Sequence, residues 1–254
     1  MNNLLALLPP AINVIVTGLL TGVILRQYIN RHRIYQLYWS IALCMAFLAT
    51  LAYICLLLVQ PTSNVGIICF RIYYTLGATV MPSWLGLGSV ALVSNRYITR
   101  ICFTVLCILS IRAAFLVFTA RINMEKLSHI AGTAGAGTLQ PGEWLTATII
   151  LNSLGITAVA GIAVYSGWKL MRRQTSMAGL RTSTILWANI FIFAGAILNG
   201  TAGSLARFMG LENMFWLIMA LGWIVLFIGI LLASKRPRAI QSSSEAEQEA
   251  ARLS

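Results

Sequence analysis

GIICFRIYYTLGATVMPSWLGLGSVALVS, residues 66–94, decides what kind of molecule this is. About 20 residues at roughly 1.5 Å rise cross the hydrocarbon of a bilayer, and this run is long enough. It sets Arg71 near one end, a Tyr73-Tyr74 pair, Pro82 in the interior, and a glycine-spaced Trp84-Leu85-Gly86-Leu87-Gly88. An interior proline predicts a kink, because it offers no N–H to the carbonyl four residues back. Glycines among apolar residues predict a close-packing surface. The stretch reads as the third of seven membrane helices and as one wall of a central cavity.

Working outward, six further apolar segments can be marked, giving seven in all: about 4–25, 36–59, 66–94, 101–120, 145–171, 185–209 and 214–234. With 59% hydrophobic and 9% charged residues in 254, the composition lies outside the globular range and leaves no room for a separate catalytic domain. The fold class expected is an all-α membrane protein. The net charge of +12 would suggest nucleic acid in a soluble protein; here topology accounts for it, and no nucleic-acid partner is expected.

Basic residues alternate between the segments. Arg26, Arg31, Arg33, Arg96, Arg100, Lys169, Arg172, Arg173, Arg181, Lys235, Arg236 and Arg238 fall on one side, against Arg121 and Lys126 on the other. The positive-inside rule then predicts an external N-terminus and a cytoplasmic C-terminus. The chain divides into a transmembrane domain, 1–238, and a short polar cytoplasmic tail, 239–254. The N-terminus does not read as a cleavable signal, since it lacks a basic n-region and its apolar run is too long.

Pro9-Pro10 is expected to start the first helix, because proline is tolerated in a first turn. Gly18 and Gly22 form a GxxxG face suited to helix contact. The arginine- and tyrosine-rich stretch at 26–39 has the composition of a headgroup belt, so membrane lipids are expected partners. Residues 121–144 form the only long outer loop, and their AGTAGAGT core reads as a flexible linker. Parallels between Arg33/Trp39 and Arg181/Trp187, and between Phe70/Leu76-Gly77 and Phe215/Leu221-Gly222, suggest a 3+1+3 parallel repeat with the fourth helix as linker.

The chemistry is bounded by absences. There is no aspartate, all six acidic residues are glutamates in loops or tail, and the two histidines, His32 and His129, lie outside the helices. Proton carriage, haem ligation and a buried metal site therefore lack ligands, and no cofactor or metal is expected. No catalytic constellation emerges. The five cysteines form no CxxC pair and lie in apolar segments, as small buried hydrophobes do. What remains is Arg71, Arg112 and Arg207 within apolar segments, without helical acids to pair with. An intramembrane charge costs at least about 2.5 kcal/mol and faces the bundle interior or water. Two readings stand: Arg71 and Arg207 snorkel to the surface, onto Glu212 or Glu125, or the counter-charge is an anionic small molecule or a lipid headgroup, with Tyr73, Tyr74, Asn152, Asn199 and Ser204 adding neutral hydrogen bonds.

Arg71-Ile72-Tyr73-Tyr74-x-Leu76-Gly77-Ala78 followed by Trp84-Leu85-Gly86-Leu87-Gly88 resembles a pattern in uncharacterised bacterial seven-helix integral membrane proteins. The likeness extends loosely to residues 35–39 and 195–207. It implies a fold and a multi-pass location in the bacterial inner membrane, and carries no activity over. The functional expectation is an outward-facing, arginine-lined pocket formed by Arg71, Tyr74, Arg112, Asn152, Asn199 and Arg207, which transports or senses an anionic small molecule or lipid. The alternative is an accessory subunit whose arginines meet a protein partner's acidic residues.

Overall fold

The computed structural model describes residues 3–135, 137–174, 180–210 and 214–234. Helices follow one another as α1 (Asn3–Arg31), α2 (Ile34–Leu58), α3 (Asn64–Tyr73), a π-helical segment (Tyr74–Val80), α4 (Met81–Val93), α5 (Arg96–Thr119), a short α6 (Met124–Ser128), α7 (Glu143–Gln174), α8 (Leu180–Phe208) and α9 (Phe215–Ser234). Because α3, the π segment and α4 run on as one 30-residue span, the described residues form seven long rods. Six are long and apolar enough to cross a membrane, and the apolar part of α8, Ile190–Ala206, is shorter. Among the described residues the sole β feature is an isolated bridge between Ile122 and Leu139. This is an all-α chain with the pattern of a multi-pass membrane protein. The tail at 239–254, and residues 175–179 of the loop before α8, lie outside the described residues.

Local chemistry sets several boundaries. Ser63 Oγ accepts from the Gly66 N–H at 3.1 Å, and Asn95 Oδ1 accepts from the Ile98 N–H at 2.9 Å, so each satisfies a donor in an open first turn. Helices also run past the apolar segments, since backbone bonding continues through polar flanks. The first helix shows this in an unexpected place: it begins at Asn3, not at Pro9-Pro10. Helical dihedrals precede the prolines, which withdraw donors only from the carbonyls of Leu5 and Ala6 in the opening turn.

The rods close a ring. α1 packs on α2, α2 on α4, α4 on α7, α7 on α8, α8 on α9, and α9 returns to α1; α5 lies outside against the π segment, α4 and α7. The α4–α7 seam is a close crossing. A Cβ at Gly86 would stand 2.8 Å from the Cα of Gly155, and a Cβ at Gly155 would collide with the Pro82 carbonyl. At Gly88 the Trp39 ring fills the space a side chain would need. The glycine surface expected from WLGLG therefore packs helix on helix. The GxxxG face of α1 does so only in part, with Gly18 against Phe47 and Gly22 open.

The loop expected to be a flexible linker is a packed plug. Leu127, Ile130 and Leu139 are buried against an aromatic cluster of Tyr53, Phe70, Tyr73, Trp144 and Trp216, and Ala134 is buried against Ala206 of α8. Three of these aromatics, from three helices, donate to the loop's main chain. Tyr53 Oη lies 3.0 Å from the Ile130 oxygen and 2.9 Å from that of Thr133, Tyr73 Oη donates to Ala134 at 3.1 Å, and Trp216 Nε1 donates to Thr133 at 3.0 Å. Small residues allow the close approach that these bonds need, and Gly132 and Gly135 take positive φ of 82° and 66° to turn the chain there. Smallness here serves packing.

A cavity beneath the plug

Inside the ring, next to the plug, is a cavity of about 290 Å³. α2 contributes a wall of small residues, Ala46, Ala49 and Thr50; α9 contributes Trp216, Met219 and Trp223. The third span contributes Tyr73, Tyr74, Gly77, Ala78, Met81 and Pro82, so its irregular segment faces the cavity.

The irregularity has a cause. Pro82 has no N–H, so the Ala78 carbonyl cannot take its α-helical bond. The chain passes into i→i−5 bonding, as when the Met81 N–H reaches the Leu76 carbonyl. Asn152 of α7 supplies a donor from across the cavity, its Nδ2 standing 2.8 Å from the Ala78 oxygen. A Thr79–Thr148 hydroxyl pair at 3.1 Å ties the same two spans.

Opposite, Asn199 of α8 lines the cavity, and Gly222 of α9 gives its amide room, since a Cβ there would collide with the amide oxygen. Both polar atoms of Asn199, and Oδ1 of Asn152, are buried without a hydrogen-bond partner among the described residues. A buried amide left unpaired costs about 1–3 kcal/mol. Two such amides line one cavity, with apolar surface around them.

The cavity opens sideways. Ile149 and Ser153 on α7 and Gly203 and Ser204 on α8 both line it and are exposed. Further along the same seam, a Cβ at Gly200 would stand 2.6 Å from Ile156, so the two helices close there. At the other end the opening is bounded by Tyr73, Trp216 and the plug.

Two of the three expected arginines, Arg71 and Arg112, do not form this site. Arg71 turns away to the end of α5, where its NH1 donates to the Phe118 carbonyl and its NH2 to Ala120 at 3.3 Å. The guanidinium thus caps carbonyls at the negative pole of a helix, which answers its charge without a ligand. Arg112 lies on the outer face of α5 with its side chain 70% exposed, 3.9 Å from Glu143 at the start of α7. Its neighbours Ile108, Ile111 and Phe115 are exposed too, so its azimuth points out of the bundle. Arg207 is one turn beyond Gly203 on α8, and its side chain lies outside the described residues. Tyr74, Asn152 and Asn199 do line the cavity, together with Tyr73 and Ser204.

Sequence reading missed the small-residue wall of α2 and the tryptophans of α9. Ala46, Ala49 and Thr50 at i, i+3 and i+4 were a signal for the first. Among the described residues no cluster of His, Cys, Asp or Glu could hold a metal ion. Comparison with protein-family models, curated proteins and solved structures finds no match. The class of molecule rests on the fold itself: a multi-pass helical bundle with a laterally open, amide-bearing cavity.

Proposed function

We propose that the protein binds a membrane-soluble amphiphile, a lipid or a lipid-like small molecule, which enters between α7 and α8. Its hydrogen-bonding head lies between Asn152 and Asn199, and its apolar body lies along the lateral opening. The observation that carries this reading is the pair of buried amides with unpaired atoms lining one cavity. Such groups gain about 0.5–1.5 kcal/mol per bond from a ligand that pairs them. The binding step serves transport or sensing, and alternating accessibility of the cavity separates the two. Retention is the test. Purified in mild detergent, the parent should carry an extractable amphiphile detected by mass spectrometry. Asn199→Leu should lower its amount about tenfold while melting like the parent. Equal retention by both would remove the reading.

The proposed setting is the bacterial inner membrane, with the plug outside and the arginine-rich turns in the cytoplasm; the basic-residue asymmetry supports it. Cysteine labelling should reach residue 129 from outside in intact cells and fail at residue 33; the reverse pattern would invert the orientation. The 3+1+3 repeat has one support, in that Gly77 packs on α2 and Gly222 on α8, the middle helix of each triplet.

A second reading, an accessory subunit of a larger membrane complex, is favoured by α5. It lies outside the ring and exposes the Arg112–Glu143 pair among apolar side chains. Stoichiometric co-purification of a partner, abolished by changing that face, would support it.

A further inference from the structure

At the end of the bundle away from the plug, the α1–α2 turn meets the α4–α5 turn, and a cleft of about 520 Å³ lies between them. Arg33, Arg96 and Arg100 line it, together with His32. His32 and Arg33 are the only residues between the two helices, and His32 takes φ 48°, a tight turn that brings Arg33 to the cleft.

The charges are placed adversely. Arg33 is the N-cap residue of α2, Arg96 opens α5, and Arg100 follows one turn later. A helix N-terminus carries about half a positive charge, so cations there are unfavourable. Arg96 and Arg100, at i and i+4, also repel each other. Neither helix has an acid in its first turn. The single ion pair among the described residues is Arg112–Glu143, on α5 and α7 toward the plug. Three arginines thus line one cleft with no acidic side chain in its lining; the helix poles largely offset one another there, since α1 and α4 end where α2 and α5 begin, and the arginine charges remain.

We propose that this cleft binds the phosphate group of an anionic glycerophospholipid. Guanidinium forks match phosphate oxygens bidentately, and a phosphate between the three arginines offsets their mutual repulsion. A lipid fits better than a free ion because Ile34 and Leu92 also line the cleft. They are 46% and 45% exposed, and continue it onto the apolar flank of the bundle, where an acyl chain can lie. This site is separate from the amide-bearing cavity and does not depend on how that cavity is used.

The full-length protein in mixed micelles, with phosphatidylglycerol or phosphatidylcholine, tests this by native mass spectrometry. Phosphatidylglycerol should be retained over phosphatidylcholine. Arg96→Gln/Arg100→Gln should lower that retention about tenfold or more. Arg33→Gln, on the other helix, should show the same selective loss, the double Arg→Lys variant, which keeps the charge but loses the forks, should restore only part of the binding, and Arg121→Gln near the plug should change nothing. All these arginines are exposed, so melting should stay near the parent's. Equal retention of the two lipids, or full retention by Arg96→Gln/Arg100→Gln, would overturn the site. Displacement of the lipid by an equal concentration of inorganic phosphate would overturn the lipid assignment in favour of a free anion.

Discussion

Asn152 donates its amide N–H to the carbonyl of Ala78 at 2.8 Å, and Ala78 is the residue whose α-helical donor Pro82 removes. One helix thus repairs a defect in another. The repair holds the π segment open against the cavity and fixes the Asn152 rotamer, which leaves Oδ1 without a partner.

The pair should be coupled. Asn152→Leu should cost about 1–3 kcal/mol, the penalty of an orphaned buried carbonyl. In a Pro82→Ala background the helix regains its own donor and that cost should shrink by about 1 kcal/mol. A double-mutant cycle on melting in detergent measures this. Strict additivity would show that the two residues act separately.

The glycine seams should differ sharply. Gly86→Leu should destabilise through overpacking of about 1–3 kcal/mol, because Gly155 leaves no room for a side chain. Gly22→Leu should be tolerated, since nothing lies within 4 Å of a Cβ there. Equal melting and yield for the two variants would contradict the α4–α7 contact.

The plug should loosen one bond at a time. Tyr53→Phe and Trp216→Phe each remove a donor to the Thr133 carbonyl, worth about 1 kcal/mol. Hydrogen exchange across residues 130–135 should quicken in each variant, and further in the double variant. Unchanged exchange would mean that apolar burial alone holds the loop.

Arg71 and Arg112 should part company. Arg71→Gln should destabilise by about 1.5–3 kcal/mol, since charged donors to the α5 carbonyls are lost. Arg112→Gln removes an exposed pair worth roughly 0–1 kcal/mol and should leave amphiphile retention unchanged. Thermal melts and extracted ligand, measured on both variants, check the contrast.

Apolar length located every rod, and WLGLG pointed correctly to a close seam, because both depend on local composition. Tyr73, Tyr74, Asn152, Asn199 and Ser204 were nameable as neutral hydrogen-bonding groups and do line one cavity. Arg112 failed because distance along a helix gives depth but not azimuth. The alternation on α5 held the missing information: Leu106, Ala113 and Val117 are buried, while Ile108, Ile111 and Phe115 are exposed. The plug failed for another reason. Gly, Ala and Thr suit a flexible linker and a tightly apposed loop equally, and only the aromatic donors far away in sequence decide between them.

Those donors read main chain and nothing else. Tyr53, Tyr73 and Trp216 bond to carbonyl oxygens that any amino acid would present. Positions such as Ala131 and Thr133, which are not fully buried, can therefore change side chains within the limits of size and turn geometry, whereas the buried Leu127, Ile130 and Leu139 and the three aromatic positions on the helices cannot. Mutational tolerance should therefore divide within the loop itself: high where only main chain is bonded, and low at the three buried aliphatic side chains and at the aromatics beneath them.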